Sequence, residues 1–259
     1  MRPLTAVAAF SPSSRLAPLL SCLAFSAAPQ AGEVQVAVAA NFAVPIARIG
    51  QAFTAATGHV LKLSTGSTGK FYAQVLAGAP FEVLVAADAE APRKLITAGH
   101  AVAGSDFTYA IGKLVLWSAQ AGFVDGHGAV LASDKIKHLA IANPKVAPYG
   151  AAALEVLKAR GLVGALTPRL VTAESIAQAY QFVATGNAQA GFVALSQVAV
   201  PGKPPMGSYW LIPQDLYTEI RQDAVLLKAG EKNPAARALL DFLKSPAARQ
   251  TIREFGYGG

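Results

Sequence analysis

The feature that most limits this chain is a repeated alternation. Short apolar runs end in turns of small or hydroxyl residues, and each turn opens a helix-period segment. Val34, Val36 and Val38 alternate as in a first strand. Ala39, Ala40, Asn41 and Phe42 make the turn, and Ile46, Ile49 and Phe53 then share one helical face. Pro45 sits near that helix's start, where a missing N–H costs nothing, and Gly58 ends it. Residues 60–63 predict a second strand, 71–77 a helix, 81–86 a strand and 92–98 a helix. Such a β-α-β-α-β-α series with short loops implies parallel strands covered by helices, so the fold class is α/β.

The pattern continues beyond residue 100. YAIGKLVLWS, residues 109–118, reads as one long strand. Residues 139–142 read as a short strand, and the turn PKVAPYG leads into a helix over 151–160. Residues 169–171 are a strand, and Thr172 to Ile176 start a helix that runs to Thr185. Residues 190–195 and 220–227 are strands, with a Pro/Gly-rich loop at 201–207 between them. Asn233 with Pro234, and Ser245 with Pro246, open two closing helices.

Four of these strand-to-helix turns share a character: Ala40–Asn41, Ser67–Thr68, Ala147–Tyr149 and Glu174–Ile176. A helix start carries free N–H groups and a partial positive charge, which makes it a seat for an anion. In LSTGSTGKF, residues 63–71, Gly66 and Gly69 let backbone approach a guest, and Ser67 and Thr68 can cap the helix or donate outward. Taken singly, each turn also reads as an ordinary N-cap. Gathered at one sheet edge, the four would form a nest of neutral donors for a small oxyanion. Tyr149 is either a packed aromatic or a phenol donor.

Other chemistries find little support. Lys70 follows Gly69, but a phosphate loop needs glycine where Ser64 stands and Ser or Thr where Phe71 stands. His59, His100, His127 and His138 have no metal-ligand spacing. There is no GxSxG elbow and no catalytic trio, so the chain is read as a non-enzyme. Asp88 is read as the cap of the helix after it, and Asp125 and His127 as solvated loop residues. The excess of basic residues, 22 Lys and Arg against 15 Asp and Glu, is scattered. It offers weak steering for an anion and no nucleic-acid arm.

With 53% hydrophobic and 14% charged residues the chain suits a packed globular protein. Residues 1–28 read as an export signal, with Arg2 and Arg15, an apolar segment from 16 to 25, and Ser26, Ala27 and Ala28 as a small-residue cleavage site. Cys22 is the single cysteine, so the mature chain would contain neither disulfide nor thiol chemistry. Leu19 to Cys22 loosely resemble a lipoprotein box, which leaves a lipid anchor through Cys22 as the lesser alternative.

Several segments together carry a family resemblance: VQVAVAANF, STGSTGKFYAQVLAGAPFEVLVAAD, IANPKVAPYGAAALEVL, PRLVTAESIAQAYQFVATGNAQAGFVALS and FLKSPAARQTIREFGY. They resemble the periplasmic molybdate-binding proteins of ABC import systems, over nearly the whole mature chain. The resemblance implies a two-lobed periplasmic binding protein of type II, each lobe a mostly parallel sheet flanked by helices. It implies lobes at residues 33–108 plus 221–259 and at 109–220. It also implies a monomer that takes molybdate or tungstate, with no cofactor and no metal held by side chains, and hands it to an inner-membrane permease. The site residues it implies are Ala40, Asn41, Ser67, Thr68, Tyr149 and Ile176, with the register between Ser67 and Thr68 open and Ile176 donating through its backbone. Some members add a tyrosine hydroxyl where this chain has Ala194, and Tyr149 is the candidate replacement. The alternatives are a receptor for sulfate or phosphate, an exported serine hydrolase using Ser67 with a distant histidine, and the effector domain of a transcription regulator.

Overall fold

The computed structural model describes residues 31–204 and 206–259, together with 6 and 8. Apart from residues 6 and 8, the predicted export signal, Cys22 included, lies outside the described residues. Residues 31–259 form one compact unit, built on two five-stranded sheets.

The first sheet has the order β2-β1-β3-β10-β4. Its strands are β1 (Glu33–Ala39), β2 (Val60–Gly66), β3 (Val83–Val85), β4 (Phe107–Gly112) and β10 (Ile220–Leu226). The second has the order β7-β6-β8-β5-β9. Its strands are β5 (Leu114–Ser118), β6 (Leu139–Ala142), β7 (Leu170–Ala173), β8 (Ala190–Ala194) and β9 (Ser208–Leu211). In each sheet three strands are parallel: β2, β1 and β3 in one, and β7, β6 and β8 in the other. The other two strands of each sheet pair antiparallel, which makes the sheets mixed.

Helices α1 (Ala43–Thr57), α2 (Thr68–Leu76), α3 (Glu90–Thr97), α8 (Pro234–Leu243) and α9 (Pro246–Glu254) cover the first sheet. Helices α4 (Pro148–Ala159), α5 (Val163–Leu166), α6 (Ile176–Ala184) and α7 (Leu195–Val198) belong to the second half. Local chemistry sets many of the boundaries. Gly58 closes α1 in the left-handed region at φ 76°, where a Cβ would be penalised. The Asn233 side chain accepts from the Ala235 N–H, and Ser245 from the Ala248 N–H, at the starts of α8 and α9.

The predicted strand over 109–118 is in fact two strands in different sheets, β4 and β5, parted at Lys113. Gly112 is the point of passage. A Cβ there would lie 2.3 Å from the Tyr149 hydroxyl and 2.6 Å from Gln222 Nε2, so only glycine lets the backbone pass these buried side chains. Helix α2 starts at Thr68, three residues before the predicted start. β9 and the short helices α5 and α7 were not expected.

Candidate functional site

All four strand-to-helix turns line one small cavity, and no charged residue is among its lining. The parallel strands of each sheet end on the same side, so their following turns converge. Ala39, Ala40 and Asn41 arrive from the end of β1, and Gly66, Ser67 and Thr68 from the end of β2. Pro148 and Tyr149 open α4, and Ile176 opens α6. Every sequence-predicted site residue is therefore brought to this cavity.

The donors differ in their commitments. At α2, Ser67 is the N-cap, yet its hydroxyl makes no capping bond. Ser67 Oγ is buried and has no hydrogen-bond partner. Thr68 Oγ1 instead accepts from the Ala87 N–H at 2.9 Å. Of the two adjacent hydroxyls, the one held by the scaffold is thus Thr68 and the uncommitted one is Ser67. At α4, the N–H groups of Gly150 and Ala151 both donate to the Ala147 carbonyl, and Pro148 has none. At α6, Ser175 Oγ accepts from the Gln178 N–H at 3.3 Å. The backbone N–H groups of Asn41, Thr68, Tyr149 and Ile176 find no acceptor among the described residues, as the first turn of a helix requires.

Two side chains are spent differently from the sequence expectation. The Tyr149 phenol, 1% exposed, faces Gly112 and accepts from Gln222 Nε2 at 3.1 Å. The residue reaches the cavity wall at the helix start, where its unpaired amide sits. Asn41, 3% exposed, gives its Nδ2 hydrogens to Gln222 Oε1 at 2.8 Å and to the Tyr257 hydroxyl at 3.0 Å. Asn41 Oδ1 is buried without a partner.

Behind the cavity lie buried groups that the sequence did not single out: Gln222 on β10, Tyr109 on β4, Ser196 on α7, and Tyr257. Their only local signal is polar residues inside apolar runs. The Phe42 ring packs tilted against Tyr109 at 4.6 Å between centroids and edge-on against Tyr257 at 5.5 Å. Burial pushes the Tyr109, Tyr149 and Tyr257 hydroxyls up, and neighbouring phenols add to this for Tyr109 and Tyr149. All three stay protonated and neutral at physiological pH.

The halves touch directly at this place. The Gly69 N–H donates to the Val146 carbonyl at 2.9 Å, and Ser196 Oγ donates to the Asn41 carbonyl at 2.9 Å. Lys70 pairs with Glu174, both side chains being about half exposed or more. Beyond Thr68, Ala87 and Ala147 the space widens into a cleft of about 600 Å³ with both basic and acidic residues at its wall, among them Lys145, Arg221, Glu155 and Glu219. Asp88 lies there, its Oδ1 accepting from the Ala91 N–H at 2.8 Å in the first turn of α3. Burial raises the Asp88 carboxyl above its ordinary range, against the pull of that hydrogen bond. Among the described residues no group of three or more His, Cys, Asp or Glu could hold a metal ion. No helix there is long and apolar enough to cross a membrane.

Residues 34–258 match the family model described as bacterial extracellular solute-binding protein. The chain is 58% identical over 245 residues to the molybdate-binding protein ModA of Azotobacter vinelandii, covering 95% of this chain and 97% of that one. It is also 58% identical over 227 residues to ModA of Rhodobacter capsulatus, covering 88% of each. The structure superposes on the periplasmic molybdate-binding protein of Azotobacter vinelandii with a TM-score of 0.85 at 42% identity, over 87% of this chain and 99% of that chain.

Proposed function

This chain belongs to the ModA family of molybdate-binding proteins, and on that premise we propose that it captures molybdate in the cavity bounded by Asn41, Ser67, Thr68, Tyr149 and Ile176. The observation that carries this reading is the lining itself: several unpaired backbone N–H groups and one unpaired hydroxyl, with no charged side chain among them. An anion entering such a space finds donors already aimed and buried. Each hydrogen bond to a charged acceptor contributes about 1.5–3 kcal/mol. Neutral donors also avoid burying a lysine or arginine when the site is empty.

The uncommitted Ser67 hydroxyl supports Ser67 as the side-chain donor of the α2 turn, with Thr68 donating through its N–H. Tyr149 and Ile176 donate through their amides, and Ala40 contributes wall. Tungstate has the same shape and charge and belongs to the same ligand class. Donors fixed at one spacing leave some N–H groups unpaired around the smaller sulfate, which sets the selectivity.

The two sheets act as lobes; the expected boundaries at residues 109 and 221 fall inside β4 and β10 of the first sheet, so the lobes divide at Lys113 and just before Ile220 instead. They close on the anion as a hinge about the strand crossings. Capture is followed by delivery to an ABC permease, in the periplasm, by a monomer whose first 28 residues direct export. The protein binds and releases its cargo without turning it over. Calorimetry on anion-free protein tests this directly. Molybdate and tungstate are expected to bind far more tightly than sulfate or phosphate. Sulfate binding as tightly as molybdate would overturn the selectivity.

A further inference from the structure

One buried contact behind the cavity joins three separate parts of the chain. The backbone carbonyl of Asn41, on the turn that follows β1, accepts from Ser196 Oγ at 2.9 Å and from the Tyr257 hydroxyl at 2.9 Å. The two hydroxyls lie 2.9 Å from each other. Ser196 and Tyr257 are each 5% exposed, so the contact is closed to bulk solvent. A carbonyl oxygen has two lone pairs and donates nothing, so both hydroxyl protons have a place on it.

Under a hinge at the strand crossings these parts do not move together. Asn41 belongs to the first half, and Tyr257 is tied to that half as well. Its neighbour Gly258 exchanges two backbone hydrogen bonds with Ile111 on β4, at 2.8 and 2.9 Å, and the Tyr257 ring packs against Phe42. Ser196 lies on α7, which follows β8 and travels with the second half. Helix α7 starts at the pivot, because the Leu195 N–H donates at 2.9 Å to the carbonyl of Lys113, where the chain passes between the sheets. Opening about that pivot withdraws Ser196 and leaves Tyr257 in place. The Asn41 carbonyl then keeps one donor, so the open form has no unpaired acceptor there. Closing supplies the second.

We propose that Ser196 is a positioning residue for the anion: on closing, its hydroxyl enters a socket made by the Asn41 carbonyl and the Tyr257 hydroxyl, and this sets where the second half comes to rest against the first. The proposal rests on the reading that the cavity is the anion's seat and that the halves close on it. The seat draws N–H groups from both halves, so their spacing depends on where closure stops. The next residue carries the setting to the seat. Gln197 Oε1 accepts from the Ala194 N–H at 3.0 Å, and its Nε2 donates to the Ile176 carbonyl at 3.2 Å. The first partner only donates and the second only accepts, so they fix which way this amide lies. Ser196 in its socket therefore holds α7, and α7 holds the start of α6, where the Ile176 amide faces the cavity.

The test begins with calorimetry of molybdate on the wild-type protein. Absence of binding there refutes the anion's seat, and the purpose of the socket with it; binding makes the variants a test of the socket alone. Ser196→Ala is expected to weaken binding about three- to tenfold, the size of one neutral hydrogen bond. The loss should appear as faster release in stopped-flow measurements. The melting temperature of the anion-free variant should stay near that of the wild type, because the open form does not use the bond. Tyr257→Phe keeps the ring on Phe42 and removes a hydroxyl that serves both forms. It should therefore lower the melting temperature and change affinity less than Ser196→Ala does. Ser196→Ala should cost more affinity in the Tyr257→Phe background than alone, since closure then leaves the Asn41 carbonyl with no donor. Wild-type affinity and release in Ser196→Ala would overturn the proposal, as would a lowered melting temperature with unchanged affinity, the mark of a hydroxyl that only supports the fold. Should Ser196→Ala not fold, wild-type protein labelled with ¹³C at the backbone carbonyls of asparagine decides. The Asn41 signal is expected to move on binding as the second hydroxyl arrives, and a signal that stays in place overturns the proposal.

Discussion

Gly69→Ala probes the closed contact between the halves. Gly69 is the second residue of α2, and its N–H donates to the Val146 carbonyl at 2.9 Å. A Cβ at this position would lie 2.8 Å from Val146 Cα, 3.0 Å from its Cβ and 3.1 Å from its carbonyl oxygen. The obstacle is largely backbone, so a rotamer change cannot relieve it. Reaching ordinary carbon contact near 3.5 Å requires the halves to part by roughly 0.7 Å. Parting stretches the bonds made across the cavity toward about 3.5 Å, where little hydrogen-bond energy remains. The Tyr149 and Ile176 amides come from the second half. Weakening both costs about 2 kcal/mol or more, given 1.5–3 kcal/mol for each bond to a charged acceptor. That is a loss of affinity of about 30-fold or more. The stability of the empty protein should hold, because alanine is the better helix former by about 1 kcal/mol. Calorimetry with molybdate, paired with thermal unfolding of the anion-free protein, reads both quantities. Gly69→Ala binding with wild-type affinity would refute closure through this contact.

Other changes separate roles within the site. Ser67→Ala should weaken molybdate binding about 10- to 150-fold without lowering the stability of the empty protein, because Oγ has no partner to lose. Thr68→Val should instead lower stability by about 1–3 kcal/mol, since it leaves the buried Ala87 N–H unpaired; thermal unfolding and calorimetry of the two variants check the contrast. Asp88→Asn keeps the acceptor for Ala91 and removes a carboxyl whose pKa burial raises. The folded state holds that proton more tightly than the unfolded chain, so its stabilising contribution is present in acid and is lost as pH rises through the raised value. The melting temperature of the variant relative to wild type should therefore climb as pH goes from acid to neutral, and a constant difference would refute this. Lys70→Gln should change affinity by about fivefold at most, because the Lys70–Glu174 pair is solvent-exposed; a larger loss in calorimetry would make Lys70 a ligand.

What could be read in the sequence was what local chemistry writes there. The caps at Gly58, Asn233 and Ser245 specify their own helix ends, and β6 has the predicted bounds. The four turns were visible because each pairs a strand end with small or hydroxyl residues. The break between β4 and β5 was not visible, since the apolar run from Tyr109 to Ser118 is continuous and only sheet membership changes at Lys113. Gly112 looks like any strand glycine until Tyr149 and Gln222 are seen against it. β9 escaped because it is short and has only Trp210 fully turned inward. Gln222 escaped for a related reason: in IRQDAVL a polar residue reads as ordinary alternation, and its partners lie up to 181 residues away in the chain. The same distance effect hid the use of the Asn41 amide and the Tyr149 phenol. Residue type suggested donors to an anion, while the fold had already engaged both behind the cavity.

The most direct measurement is the position of molybdenum in a crystal of the protein grown with molybdate, located by its anomalous scattering. The account places the metal atom in the small cavity, with oxyanion oxygens within hydrogen-bond distance of the Asn41, Thr68, Tyr149 and Ile176 amides and of Ser67 Oγ. Molybdenum in the outer cleft, held by Lys145 or Arg221 with the small cavity unfilled, would contradict it.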